Sequence, residues 1–164
     1  NLTDVLAGMT DTLERVYPPK LMFLVADPVM RFAVGRLGAK PPGLALLRFT
    51  GRRSGRDLEL LAALHEVDGR RAVLTNSGWR WNFEGSRPLE ATIEGQSHRL
   101  VGTLEADPDA VADVYLGRIS EIGMEAAPRR LGVRSTTGEA PTHEEMADFA
   151  AAEGLGVVYL DPAD

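Results

Sequence analysis

The sequence predicts a mainly β protein with flanking helices, an antiparallel barrel or sandwich. Two observations carry that reading. Between Leu44 and Leu104, short apolar runs follow one another, joined by two-residue turn pairs and one glycine-bounded corner. Helix signals gather outside that stretch, before Gly38 and after Asp107. Its 164 residues, 44% apolar and 26% charged, suit one globular domain with one sizeable core.

Residues 2–17 read as a helix. Thr3 or Asp4 can cap it, Leu6, Met9, Leu13, Val16 and Tyr17 recur at helical spacing, and Pro18-Pro19 stops it. A second apolar helix is expected from about Pro28 to Leu37, and "GAKPPG" reads as a rigid linker. Residues 1–38 thus form a helical segment expected to pack on a barrel of residues 39–164. Within it, Leu21–Val34 is very apolar and would bury against the barrel or in a homodimer interface. A peripheral membrane contact is the alternative.

Strands are expected at 44–49, 57–67, 71–75, 89–93 and 98–104, with Asp68-Gly69 and Glu94-Gly95 as hairpin turns. A helix is expected over 107–122, with Asp107 as cap and Pro108 in the first turn. Residues 127–141 read as loop. A second helix spans 142–153, opened by a Thr142/Glu145 capping box and closed by Gly154, and 157–160 is the last strand.

Charge and composition narrow the function. The net charge of −6 argues against nucleic acid as a partner. Cysteine is absent, which removes disulfides, thiolate metal sites and a cysteine nucleophile. His65, His98 and His143 are scattered without metal-ligand spacing, so no metal is expected. No run reaches the ~18 apolar residues of a spanning helix. A cytoplasmic protein is expected, with peripheral membrane association and an anchor upstream of Asn1 left open. Lysine occurs only at Lys20 and Lys40, so positive charge means arginine, and its placement matters more than its abundance.

One placement stands out. Arg52, Arg53 and Ser54 lie between Gly51 and Gly55 at the corner joining two strands. Such a turn exposes backbone N–H groups in an anion-binding concavity, and two guanidinium forks and a hydroxyl add donors suited to phosphate or carboxylate. The plainer reading is a solvated turn whose arginines pair with Asp57, Glu59 or nothing. The second placement is "SGWRWNF" (Ser77–Phe83), which holds both tryptophans, two residues apart. A flat ligand could stack on them while Ser77 or Asn82 fixes its polar edge. Equally, they could plug the barrel end.

The order of parts resembles the deazaflavin-dependent nitroreductase family: apolar strand, "GRRSG", strand, "DG" turn, strand, Ser-Gly, W-x-x-N and a strand hairpin. The resemblance covers residues 40–105 and the closing "GVVYLDP". It implies a split β-barrel of the flavin-mononucleotide-binding type. It also implies coenzyme F-420, with Arg52, Arg53, Ser54 and Gly55 holding the coenzyme's phosphate and acidic tail. Ser77 and Gly78 would lie by the deazaflavin ring, and Trp79 and Asn82 match the family's tryptophan and asparagine. The implied activity is hydride transfer from C5 of the reduced deazaflavin to a quinone, nitro compound or enone. No side chain is required as acid or base, and Ser77 is the one candidate to assist by donating a hydrogen bond. The chain departs from the family where Trp79 directly follows Gly78, because members carry a longer loop there with a second glycine and a proline. It also offers only Tyr115 and Tyr159 in its last third. The alternatives are a non-catalytic barrel holding a lipid, fatty acid or haem, and a flavin mononucleotide enzyme.

Overall fold

The computed structural model describes residues 12–17 and 43–163. These fall into two compact units, 12–17 with 105–157 and 43–104 with 158–163. The expected helix at 28–37 and the apolar segment Leu21–Val34 lie outside the described residues, as does most of the expected helix at 2–17.

The second unit is a curled sheet. Its strands are β2 (Leu44–Thr50), β3 (Asp57–Ala63), β4 (His65–Val67), β5 (Arg70–Thr75), β6 (Arg87–Ile93), β7 (Gln96–Glu105) and β9 (Gly156–Pro162), the last entering from the other unit. They lie in the order β3-β2-β6-β7-β9-β5-β4. The pairs β2–β3, β2–β6, β6–β7 and β4–β5 are antiparallel. The outermost strands β3 and β4 are joined in sequence by Leu64 alone. In a flat sheet, six steps of about 4.8 Å would separate them by about 29 Å, while two Cα–Cα steps of about 3.8 Å reach less than 8 Å. The sheet must therefore curl until its edges meet. The Leu64 N–H, which donates to Gly43 O at 2.7 Å, secures the break between them. This is the mainly β, antiparallel barrel that the strand run predicts, in the split form that the family resemblance implies.

Alternation of side chains explains the closure. Ala45, Leu47 and Phe49 of β2, Leu60 and Ala62 of β3, Leu89 and Ala91 of β6, and Val158 and Leu160 of β9 share one buried cluster with Phe83. Each set has a spacing of two, so each strand turns one face to the core. Both hairpins carry the expected turn pairs. Asp68-Gly69 has φ of 52° and 77°, and Glu94-Gly95 has 50° and 80°. Two consecutive positive φ values match the strands' right-handed twist. On the opposite face, Glu59, Arg48, Glu90 and Arg99 face one another across β3, β2, β6 and β7, so charge alternates from strand to strand. Arg48 also donates from Nη2 to Thr92 Oγ1 at 2.8 Å.

The first unit is mostly helical. Helix α1 (Pro108–Ile122) is capped by Asp107, which accepts from the Ala110 N–H at 3.1 Å. A four-residue turn, α2 (Ala127–Arg130), precedes β8 (Val133–Ser135). Helix α3 (His143–Glu153) opens on the expected capping box. Thr142 Oγ1 accepts from the Glu145 N–H at 3.1 Å, and Glu145 Oε1 accepts from the Thr142 N–H at 2.9 Å. That backbone bond is the main reason the Glu145 carboxyl sits below its usual range. Tyr115 is fully buried, and burial pushes its hydroxyl well above the usual value.

One expectation fails in the described part of the N-terminal region. Residues 13–15 are a strand, β1 (Leu13–Arg15), antiparallel to β8, rather than the end of a helix. Long-range pairing overrides local periodicity here. The Val16 N–H donates to Gly132 O at 2.8 Å, and Arg15 Nη1 donates to Leu131 O and Gly132 O, both at 2.9 Å. The same pairing makes a strand within 127–141, read as loop from sequence.

Candidate functional site

The corner between β2 and β3 is tighter than its length suggests. The Gly55 N–H donates to Gly51 O at 2.9 Å, and the Gly51 N–H donates to Arg56 O at 2.8 Å. Gly55 has φ of 68°, a left-handed conformation that glycine adopts freely. A Cβ on Gly51 would meet Ser54 Oγ at 2.5 Å, so the first glycine is set by close approach. Ser54 Oγ accepts from the Arg56 N–H at 3.2 Å. These bonds leave Arg52 and Arg53 at the exposed crest of the turn.

A second element locks the corner from outside. Residues Gly78–Phe83 form a short 3₁₀ helix directly after Ser77. Asn82 bridges the two: its Oδ1 accepts from the Arg52 N–H at 2.9 Å, and its Nδ2 donates to Trp79 O at 2.8 Å. Phe83 anchors the helix, packing edge-on against Phe49 at 4.9 Å between centroids. It sits so close to β7 that a Cβ on Gly102 would lie 2.5 Å from its ring. Arg80 is buried and donates from Nη1 to Asn76 O and Ser77 O, both at 2.9 Å. Burial lowers its guanidinium pKa from the usual value.

Between corner and helix lies a cavity of about 700 Å³. Of the residues singled out in the sequence, it brings together Arg52, Arg53, Ser54, Gly78, Trp81 and Asn82. Gly55, Ser77 and Trp79 are not on its lining. Gly51, Leu58 and Glu84 complete it.

The two tryptophans part company. Trp79 packs on the core, its ring 6.2 Å from Phe49 and 6.0 Å from Phe83. Trp81 is 41% exposed and walls the cavity, with the Arg80 guanidinium 4.5 Å from its centroid. A 3₁₀ helix has three residues per turn, so positions two apart point in different directions. A shared stacking face for both, open from the sequence, therefore does not form.

The arginines are not neutralised by the carboxylates nearest in sequence. Asp57 Oδ1 accepts from Thr50 Oγ1 at 3.3 Å, and Glu59 faces Arg48 across the strands. Arg52 Nη1 instead lies 3.6 Å from Glu84 Oε1. Arg53 makes no hydrogen bond or ion pair among the described residues. The cavity thus pairs two permanent cations with one exposed carboxylate and two apolar walls, Leu58 and Trp81. Such a surface can hold an anion and cover an attached apolar or planar body. Among the described residues, no cluster of three or more acidic, histidine or cysteine side chains could hold a metal ion. No described helix is long and apolar enough to cross a membrane.

No family model and no curated protein matches the chain. Several solved structures resemble it, among them two at low identity. One, described as a domain-swapped dimer, aligns with a TM-score of 0.43 at 11% identity, covering 85% of this chain and 98% of that one. The other is the haem storage protein HutZ from Vibrio cholerae, with a TM-score of 0.42 at 11% identity, covering 85% of this chain and 91% of that one.

Proposed function

We propose that this protein binds a small amphipathic anion in the cavity beside Gly51–Ser54. Arg52 and Arg53 take a phosphate or carboxylate, and Leu58 and Trp81 cover the attached body. The observation that carries the reading is Arg53, an exposed guanidinium on the lining of a 700 Å³ cavity with no partner among the described residues.

The deazaflavin coenzyme is the first ligand to test. Its anionic end fits the chemistry of Arg52, Arg53 and Ser54. Its ring has no equivalent support at Trp79, whose indole is committed to Phe49 and Phe83. When bound, the reduced coenzyme supplies hydride chemistry, and the chain's share would be to hold and orient it. Asn82 is a positioning residue, since its amide already braces the Arg52 backbone. Ser77 is placed to shape the turn, accepting from Arg80 through its carbonyl. Hydride transfer to an electron-poor acceptor is the second reading, favoured by the "GRRSG" corner. A non-catalytic carrier of a phosphorylated or carboxylated amphiphile is the reading closer to the geometry.

Titration of purified protein against the coenzyme's fluorescence, with quinone turnover measured in parallel, separates these readings. Binding without turnover supports the carrier, and binding with turnover the reductase. Absence of saturable binding by the coenzyme, by fatty acids and by phosphorylated amphiphiles alike would reject the site.

A further inference from the structure

An anion site gains nothing obvious from a carboxylate on its own lining, yet Glu84 lines this one. Its Oε1 lies 3.6 Å from Arg52 Nη1, and the two side chains are 59% and 31% exposed. That contact is loose and wet, so it is cheap to break. The backbone that carries it is not loose. The Glu84 N–H donates to Trp81 O at 3.3 Å, and Glu84 directly follows the buried Phe83. Glu84 is therefore an exposed carboxylate on a fixed stem beside one of two cations. Arg53 has no such companion among the described residues.

Resting on the ligand-binding reading above, we propose that Glu84 is a tethered competitor that selects phosphate over carboxylate ligands. It holds Arg52 when the cavity is free of anion, and an entering anion must displace it. A ligand with one carboxylate would merely exchange with Glu84 at Arg52. It would exchange at a disadvantage, because Glu84 is intramolecular and acts at high effective concentration. A phosphate monoester dianion carries more charge and three acceptor oxygens, and it can engage Arg52 and Arg53 together. The selected class is thus a phosphate or pyrophosphate attached to an apolar or planar group.

Phenyl phosphate and benzoate, alike in their ring, test this by calorimetric titration. The wild type should bind phenyl phosphate more tightly than benzoate. Glu84→Gln keeps shape and backbone bond, and it should tighten both, about threefold to tenfold, with the larger gain for benzoate. In an Arg52→Ala background the same change should have little effect, because the competitor has lost its partner. Matched thermal melting of all variants checks folding. Equal phenyl phosphate affinity in wild type and Glu84→Gln overturns the competitor while leaving the ligand site intact. An equal gain in the Arg52→Ala background also overturns it, since removal of one negative charge then suffices. No binding of either probe by wild type or Glu84→Gln overturns both the competitor and the ligand site.

Discussion

Two arginine sites in the same barrel unit have opposite economies. At the closing strand, Arg70 donates to Asp161 from Nε at 3.0 Å and from Nη2 at 2.7 Å, and its guanidinium lies 3.8 Å from the Tyr159 centroid. That cation has a carboxylate at its edge and an aromatic ring on one face. At the β2–β3 corner, Arg52 has one loose carboxylate at 3.6 Å and Arg53 has no partner among the described residues. Both sites are exposed and both draw on arginine. What differs is completion. Arg70 is an ion pair that ties β5 to β9, whereas the corner arginines are donors spaced around a cavity. Arginine abundance is thus uninformative in this chain, and arginine pairing is informative.

The contrast breaks most sharply under substitution. Arg52→Ala with Arg53→Ala should abolish binding of a phosphorylated ligand, since each charge-assisted contact contributes roughly 1.5–3 kcal/mol. Ligand titration measures the loss, and melting temperature should hardly move. Arg70→Ala should leave ligand affinity unchanged and lower the melting temperature only slightly, since its ion pair is partly exposed. Phe83→Ala comes next, costing about 3–5 kcal/mol of stability in denaturant melts, because it empties a fully packed position and unseats the 3₁₀ helix. Gly102→Ala should cost about 1–3 kcal/mol by forcing a methyl into the Phe83 ring. Asn82→Ala should cost about 1 kcal/mol of stability and weaken ligand binding with it, since the Arg52 N–H loses its acceptor.

The smallest effect is on pH. Hydrogen bonding from Arg70 holds the Asp161 carboxyl below its usual range. A depressed folded pKa means the contribution is fully present above the ordinary carboxylate value of about 3.9. It is lost as pH falls through the lower folded value. Both side chains are partly exposed, so the term should stay below ~1 kcal/mol. Acid titration of stability for wild type against Asp161→Asn should show a small gap above pH 4 that closes on acidification.

Much of the barrel was legible because its signals are local. Alternation at Ala45, Leu47 and Phe49, the turn pairs Asp68-Gly69 and Glu94-Gly95, and the caps Asp107 and Thr142 each act within a few residues. The paired strands β1 and β8 were not legible, since three-residue strands hold no period and their partners lie over a hundred residues apart. The corner was readable as an anion candidate from its five residues alone. Of its cavity partners, Leu58 and Glu84 were not. Glu84 reaches Arg52 across 32 positions, and no spacing rule links them. Trp79 and Trp81 stand two positions apart in sequence, which leaves a shared stacking face open, and only the 3₁₀ turn divides them. Asn82, expected to meet ligand, lines the cavity, and its amide also supports the corner's backbone.

The most direct measurement follows the arginine side-chain signals of ¹⁵N-arginine-labelled protein by NMR while pyrophosphate is added. The account expects the Arg52 and Arg53 signals to shift together and saturate while Arg70 stays still. Movement of all exposed arginines in proportion to ionic strength, with no saturation at the corner, would contradict it.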